Sequence, residues 1–203
     1  MFRLTLLVLL SAAACAAGAA SAAAPAPSPT DVVSTFHAAL IDGMQKGPTT
    51  SCEERIKKLD PVIRSTFEIN EVSRLVLRRH WAKLSKEQQS TFIDAMEQLV
   101  VTTYASQFNK FGGESFGAPV AQELPAGRRK VHSALNHPPD APVTFDYVLQ
   151  PARGGWRVIN VLADGISDLA LRSAQYDSVI KNQGFDALVS GLREQVTKNR
   201  TGC

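Results

Sequence analysis

Gly155-Trp156-Arg157-Val158-Ile159-Asn160-Val161-Leu162-Ala163-Asp164-Gly165-Ile166-Ser167-Asp168-Leu169 reads as a β-strand that turns directly into a helix. Strict alternation puts Trp156, Val158 and Leu162 on one side and Ile159, Val161 and Ala163 on the other, and both sets are apolar. Such a strand wants apolar cover on each face of its sheet, and a ligand can supply one of those covers. Ser167 then suits a helix N-cap, and Ile166 before it can staple onto Leu171.

Working back from this strand, the apolar period is two as far as Glu114, with Gly and Pro as punctuation. Strands are expected at Glu114 to Glu123, Arg128 to Asn136, Val143 to Gln150 and Trp156 to Asp164. The connections between them are short and rich in turn residues, which favours an antiparallel meander over parallel crossovers. In the third strand Val143, Phe145, Tyr147 and Leu149 share one face, opposite Thr144, Asp146, Val148 and Gln150.

Before Glu114 the period is helical. Thr30 or Asp31 can cap a helix carrying Val32, Val33, Phe36, Leu40 and Ile41. Ser51 to Glu54 and Ser85 to Gln88 both have capping-box spacing. Pro61 can open a further turn, and Glu71 to Trp81 places Val72, Leu75 and Val76 on one stripe. The helix begun at Ser85 carries Phe92, Met96, Leu99, Val100, Tyr104 and Phe108 and, if it runs to Lys110, extends roughly 39 Å, long enough to flank a deep cavity. After the sheet, Gly184 separates a helix bearing Tyr176 and Ile180 from a last one bearing Phe185, Leu188, Val189, Leu192 and Val196. The order specifies an α+β domain: a four-stranded curved antiparallel sheet packed with several helices.

The ends and the charge set the compartment. Arg3, the apolar run Leu4 to Leu10 and the small residues ending at Ala24 have the anatomy of a cleaved export signal, residues 1–24. A lipoprotein signal ending at Cys15 is the competitor, but Ala12-Ala13-Ala14 lacks the expected large aliphatic. Residues 25–30 read as a linker, 31–198 as one domain and 199–203 as a polar tail. Loss of Arg3 lowers the formal charge from +3 to +2, which exerts no global pull on nucleic acid. Cys52 and Cys203 would then remain; an oxidising compartment could pair them, but the polar run before Cys203 looks frayed, so two unpaired thiols are expected.

Catalytic signatures are sparse. The histidines His37, His80, His132 and His137 lack metal-ligand spacing, so no metal is expected. Ser167 follows Gly165, but the Gly-x-Ser-x-Gly pattern breaks at Leu169, and capping explains the serine better. Asp146 and Tyr147 are the only seeds for an acid or base, and they alternate faces. Of the basic clusters, Arg74 and Arg78 lie four apart, a spacing that would put them on one helix face to meet an anionic headgroup or a partner.

Set in order, the Gly-Trp-Arg-Val strand running into Asp-Gly-Ile-Ser, the segment Phe67 to Gln88 with Trp81-x-x-Leu84-Ser85-x-Glu87-Gln88, Thr103-Tyr104-Ala105, and Phe111-Gly112-Gly113-Glu114 resemble the MlaC family of periplasmic phospholipid carriers, also called toluene-tolerance auxiliary proteins. Asp168-Leu169-Ala170-Leu171-Arg172 with Tyr176 looks closest to its hopanoid-associated HpnM subgroup. The resemblance implies an NTF2-like sheet and helices around an apolar pocket that holds acyl chains, no catalysis, and no cofactor other than bound lipid. It implies a monomer that shuttles phospholipid or a hopanoid-type lipid to or from a membrane transporter or exporter. The residues expected to touch lipid are Phe92, Met96, Leu99, Val100, Tyr104, Phe145, Tyr147, Trp156, Val158, Leu162, Ile166 and Leu169. A solidly packed periplasmic assembly protein is the first rival reading, and an NTF2-like enzyme built on Asp146 and Tyr147 is the second.

Overall fold

In the computed structural model, which describes residues 26–203, three serines open three helices. Ser28, Ser51 and Ser85 each accept from the backbone N–H three residues on, and Asp31, Glu54 and Gln88 reach back to the cap's own N–H. They start α1 (Pro29–Lys46), α2 (Cys52–Thr66) and the long α4 (Lys86–Gln107). The cap of α1 is Ser28, not Thr30 or Asp31: Pro29 suits the first helical position, where an N–H has no partner to lose, and Asp31 then falls at the third. The helix therefore enters the segment assigned to the linker. Pro61 does not open a new turn either, because α2 runs through it with Leu59 and Ile63 buried on either side. The signal segment lies outside the described residues.

The remaining helices are α3 (Ile69–Leu77), α5 (Asp168–Gln183) and α6 (Phe185–Thr201). Gly184 joins the last two at φ +90°, a left-handed value that glycine adopts without a Cβ clash. No helix of the described residues is long and apolar enough to cross a membrane.

Among the described residues the expected four strands become six, all antiparallel: β1 (Ser115–Phe116), β2 (Val120–Glu123), β3 (Arg129–Asn136), β4 (Val143–Ala152), β5 (Gly155–Ala163) and β6 (Ile166–Ser167). β1 and β2 are one edge strand, both paired to β3 and interrupted at Gly117-Ala118-Pro119, where proline has no N–H for the ladder. β6 arises because the strand does not pass straight into the helix. Asp164 and Gly165, at φ +48° and +77°, form a two-residue hairpin that folds Ile166 and Ser167 back onto Ala163 and Leu162.

β5 holds a second departure from strict alternation. Leu149 pairs with Val158, but the next residue back, Val148, pairs with Asn160, so Ile159 is an extra residue bulged out of the ladder. Partners directly opposite share a face, so Phe145, Tyr147 and Leu149 face the same way as Ala163, Val161 and Val158. The one-residue insertion thus turns Val161 and Ala163 inward and Leu162, opposite Asp146, outward.

The inner face of this sheet packs against the helices. Val131, Tyr147, Leu149 and Val158 join Phe36 and Leu40 of α1, Leu59 and Ile63 of α2, and Phe92, Met96 and Leu99 of α4 in one core. Each such side chain contributes about 1.5–3 kcal/mol by leaving water. The link from α2 to α3 is stitched onto β5: Phe67 bridges Val158, and the Glu68 N–H donates to the Val158 carbonyl at 3.0 Å.

The C-terminal end overturns two expectations. The segment assigned to a frayed tail is the last turn of α6, with Asn199 donating to Thr102 and Thr103 of α4. Packing α6 on α4 carries Cys203 to the start of α2, where it forms a disulfide with Cys52 instead of a free thiol, Cα to Cα 5.4 Å. Buried Arg55 holds the junction together, donating to the carbonyls of Gly47, Thr50 and Ala105.

Candidate functional site

The core does not close everywhere. Between the inner face of the sheet and α4 lies a cavity of about 390 Å³, within the usual range for small-ligand pockets. Helix α4 contributes Met96, Val100 and Tyr104 from one stripe; at about 1.5 Å per residue its 22 residues span about 33 Å. Facing it are Phe145 and Tyr147 of β4 and Ile159, Val161 and Ala163 of β5. Phe67, in the link between α2 and α3, adds to the wall with Ile69 and Val72 of α3, and the β6–α5 junction adds Ile166, Leu169 and Leu171. Ile166 and Leu171 are 60% and 61% exposed at its rim, so the expected staple between them does not bury either one.

Seven of the twelve residues read from the sequence line this space: Met96, Val100, Tyr104, Phe145, Tyr147, Ile166 and Leu169. The other five do not. Phe92, Leu99 and Val158 are filled core positions, and Trp156 is half-buried with the Arg129 guanidinium 5.6 Å over its ring. Leu162 faces outward because of the bulge at Ile159, the same insertion that brings Val161 and Ala163 in. Phe67, Ile69 and Val72 were missed because helical periodicity marks a buried stripe without separating core from cavity wall.

Tyr147 and His37 meet at 2.9 Å between the hydroxyl and Nε2, and the His37 ring stacks on Phe116 at a centroid distance of 3.7 Å. Burial pulls the imidazole down to about 4, so it stays neutral, and pushes the Tyr147 phenol far above its ordinary value. Burial, with a smaller contribution from the Asp168 charge, does the same for Tyr104.

The first turns of α5 bring a charged pair to the wall, a feature the sequence reading did not assign to the site. Arg172 Nε donates to Asp168 Oδ2 at 2.6 Å, and Nη1 donates to the Tyr176 hydroxyl at 3.3 Å. Burial would lower the Arg172 value, but Tyr176 and Asp168 outweigh it and hold the guanidinium above its ordinary range. The spacing of four was legible as a helix-surface pair. Its position on the cavity was not.

Arg74 and Arg78 do not share a helix face. α3 ends at Leu77, Arg78 turns away at φ +48°, and neither lines the apolar cavity. Arg74 is exposed and bidentate to Glu71, at 2.8 and 2.5 Å. Arg78 borders a second space of about 520 Å³ between α3 and α5, larger than the first but rimmed by Arg79, Asp177 and Lys181. There Lys181, His80 and Arg79 converge on Asp177 and hold its carboxyl far below the carboxylate range. Asp146 points outward to His132 at 2.9 Å while Tyr147 points inward, so the two seeds for acid–base chemistry are on opposite faces. Among the described residues no group of three His, Cys, Asp or Glu side chains could hold a metal ion.

Residues 34–194 match the profile of the MlaC protein family. The chain belongs to the MlaC family. Its MlaC fold is similar to that of a phospholipid-binding protein from Ralstonia solanacearum, solved in complex with a phospholipid, with a TM-score of 0.71 and 20% sequence identity over 85% of this chain and 99% of that one. At that identity the likeness establishes the shared architecture, and the side chains lining the cavity are this MlaC member's own.

Proposed function

We propose that this protein is a periplasmic lipid carrier that shelters acyl chain in the cavity between α4 and the inner face of the sheet, without making or breaking a bond. The observation that carries the reading is the cavity itself, walled by Met96, Val100, Phe145, Ile159, Val161 and Leu169 and open past Ile166 and Leu171. A solidly packed assembly protein would have filled that space. Membership of the MlaC family and the phospholipid held by the Ralstonia protein of the same fold support phospholipid as the cargo. The likeness to the HpnM subgroup makes a hopanoid-type lipid the competing cargo. The export signal in residues 1–24 and the Cys52–Cys203 disulfide both favour the periplasm, where such bonds persist.

The need for such a carrier is energetic. An acyl chain of about 15 methylenes costs roughly 12 kcal/mol to move into water, which slows unassisted desorption about a billionfold. A monomer that covers the chain during transit removes most of that barrier and can exchange cargo with membrane transporters or exporters. Filling the cavity tests the reading: Val100→Trp should abolish uptake of phospholipid from vesicles while the melting temperature stays the same or rises. Unimpaired uptake by a folded Val100→Trp protein would place the lipid elsewhere.

A further inference from the structure

Apolar lining explains how chains are held but not what the Asp168–Arg172 pair does on the same wall. We propose that this pair reads a zwitterionic headgroup, with Arg172 donating to the lipid phosphate and Asp168 accepting from its ammonium; the proposal rests on the carrier reading above. Arg172 commits Nε to Asp168 and Nη1 to Tyr176, while Nη2 makes no hydrogen bond among the described residues. On the carboxylate, Oδ2 takes the arginine and Oδ1 is equally uncommitted. One donor edge and one acceptor edge therefore remain, side by side, on a pair whose net charge is zero.

The free edges of the pair decide which headgroup fits. The Arg172 side chain is 22% exposed and Asp168 is 56% exposed, so the pair lines the cavity while still reaching solvent, where a headgroup can meet it. A covered ion pair must have its free edges partnered or it loses solvation without return. A diacylglycerol partners neither edge. A phosphatidylglycerol phosphate satisfies Arg172, but its glycerol hydroxyls offer the Asp168 carboxylate only neutral donors and leave its charge unbalanced. Phosphatidylethanolamine brings one charge of each sign a few bonds apart and completes both edges with charge-assisted hydrogen bonds. Tyr104, beside the pair on the cavity wall, adds a neutral hydroxyl that can donate to the same phosphate.

The test is uptake by the full-length mature protein, stripped of lipid and refolded, from vesicles of equimolar phosphatidylethanolamine, phosphatidylglycerol and diacylglycerol, read as the ratio of lipids extracted from the re-isolated protein. The wild type should favour phosphatidylethanolamine over phosphatidylglycerol by about tenfold, the value of one charge-assisted contact. Asp168→Asn should bring that ratio close to one, and Arg172→Gln should lose both phospholipids relative to diacylglycerol. Because Arg172 also supports Tyr176, Arg172→Lys serves as the second variant; it keeps the charge and should retain the preference for phospholipid over diacylglycerol. A wild type that takes up all three lipids without preference, or an Asp168→Asn protein with an unchanged ratio, overturns the headgroup site and leaves the carrier reading standing. A wild type that takes up no lipid overturns both.

Discussion

His37 shows how much a single buried polar group can cost. It is 4% exposed, stacked on Phe116, with the Tyr147 hydroxyl as partner, and burial lowers its value from 6.5 to about 4. The unfolded chain takes up the proton first as the pH falls, so stability present above pH 6.5 erodes between 6.5 and about 4. The loss attributable to this residue reaches about 3 kcal/mol. Urea denaturation of wild type and His37→Gln at neutral and mildly acidic pH should show a shallower acid slope in the variant; parallel slopes would mean that His37 is not the group responsible. Neighbouring residues of α4 divide core from cavity in the same way. Leu99→Ala should cost about 2–5 kcal/mol, as truncation of a filled core position does, yet leave lipid stoichiometry unchanged. Val100, one residue on, lines the cavity, so the bulky substitution proposed there should have the reverse signature.

At the scale of elements, what was legible was whatever follows from local chemistry. Ser51 and Ser85 announced their helices because the capping box is a contact within four residues, and Gly184 marked its break because the backbone there needs a left-handed residue. The long α4 and the meander followed from periodicity. The bulge at Ile159 was not legible, because no residue type is required there, and it inverted the assignment of every β5 residue beyond it. Asp164-Gly165 carried a hairpin signal, but two-residue β6 is too short to show a period of its own. The bulge makes a prediction: deleting Ile159 removes the extra residue, leaves Val161 opposite Tyr147 and Ala163 opposite Phe145, and should give a protein that still folds but has lost one side chain from the cavity wall. Ile159→Val keeps the residue count and should cost only about 0.5–1.5 kcal/mol. Circular dichroism melts of the two variants check both, and a deletion that fails to fold would mean that the sheet needs the bulge itself.

For the whole molecule, the disulfide is the longest-range constraint. Cys52 and Cys203 are 151 residues apart, and their bond ties the last helix to the second, enclosing α4 and the entire sheet. The sequence could not announce this pairing, because proximity of the chain's end to α2 depends on how α6 packs on α4. Cys203→Ser should lower stability by about 2–5 kcal/mol in denaturant titration, with uptake retained below the transition. An unchanged midpoint would mean that packing alone secures the last helix.

The central claim is that the cavity between α4 and the sheet exists to hold lipid. The most direct test is mass spectrometry of solvent extracts from protein purified out of the periplasm without detergent, beside a washed and refolded control. Stoichiometric lipid in the native sample alone, with phospholipid rather than a hopanoid-type lipid dominant, is the predicted result. An empty extract from a protein that also takes up no lipid from vesicles would contradict the account.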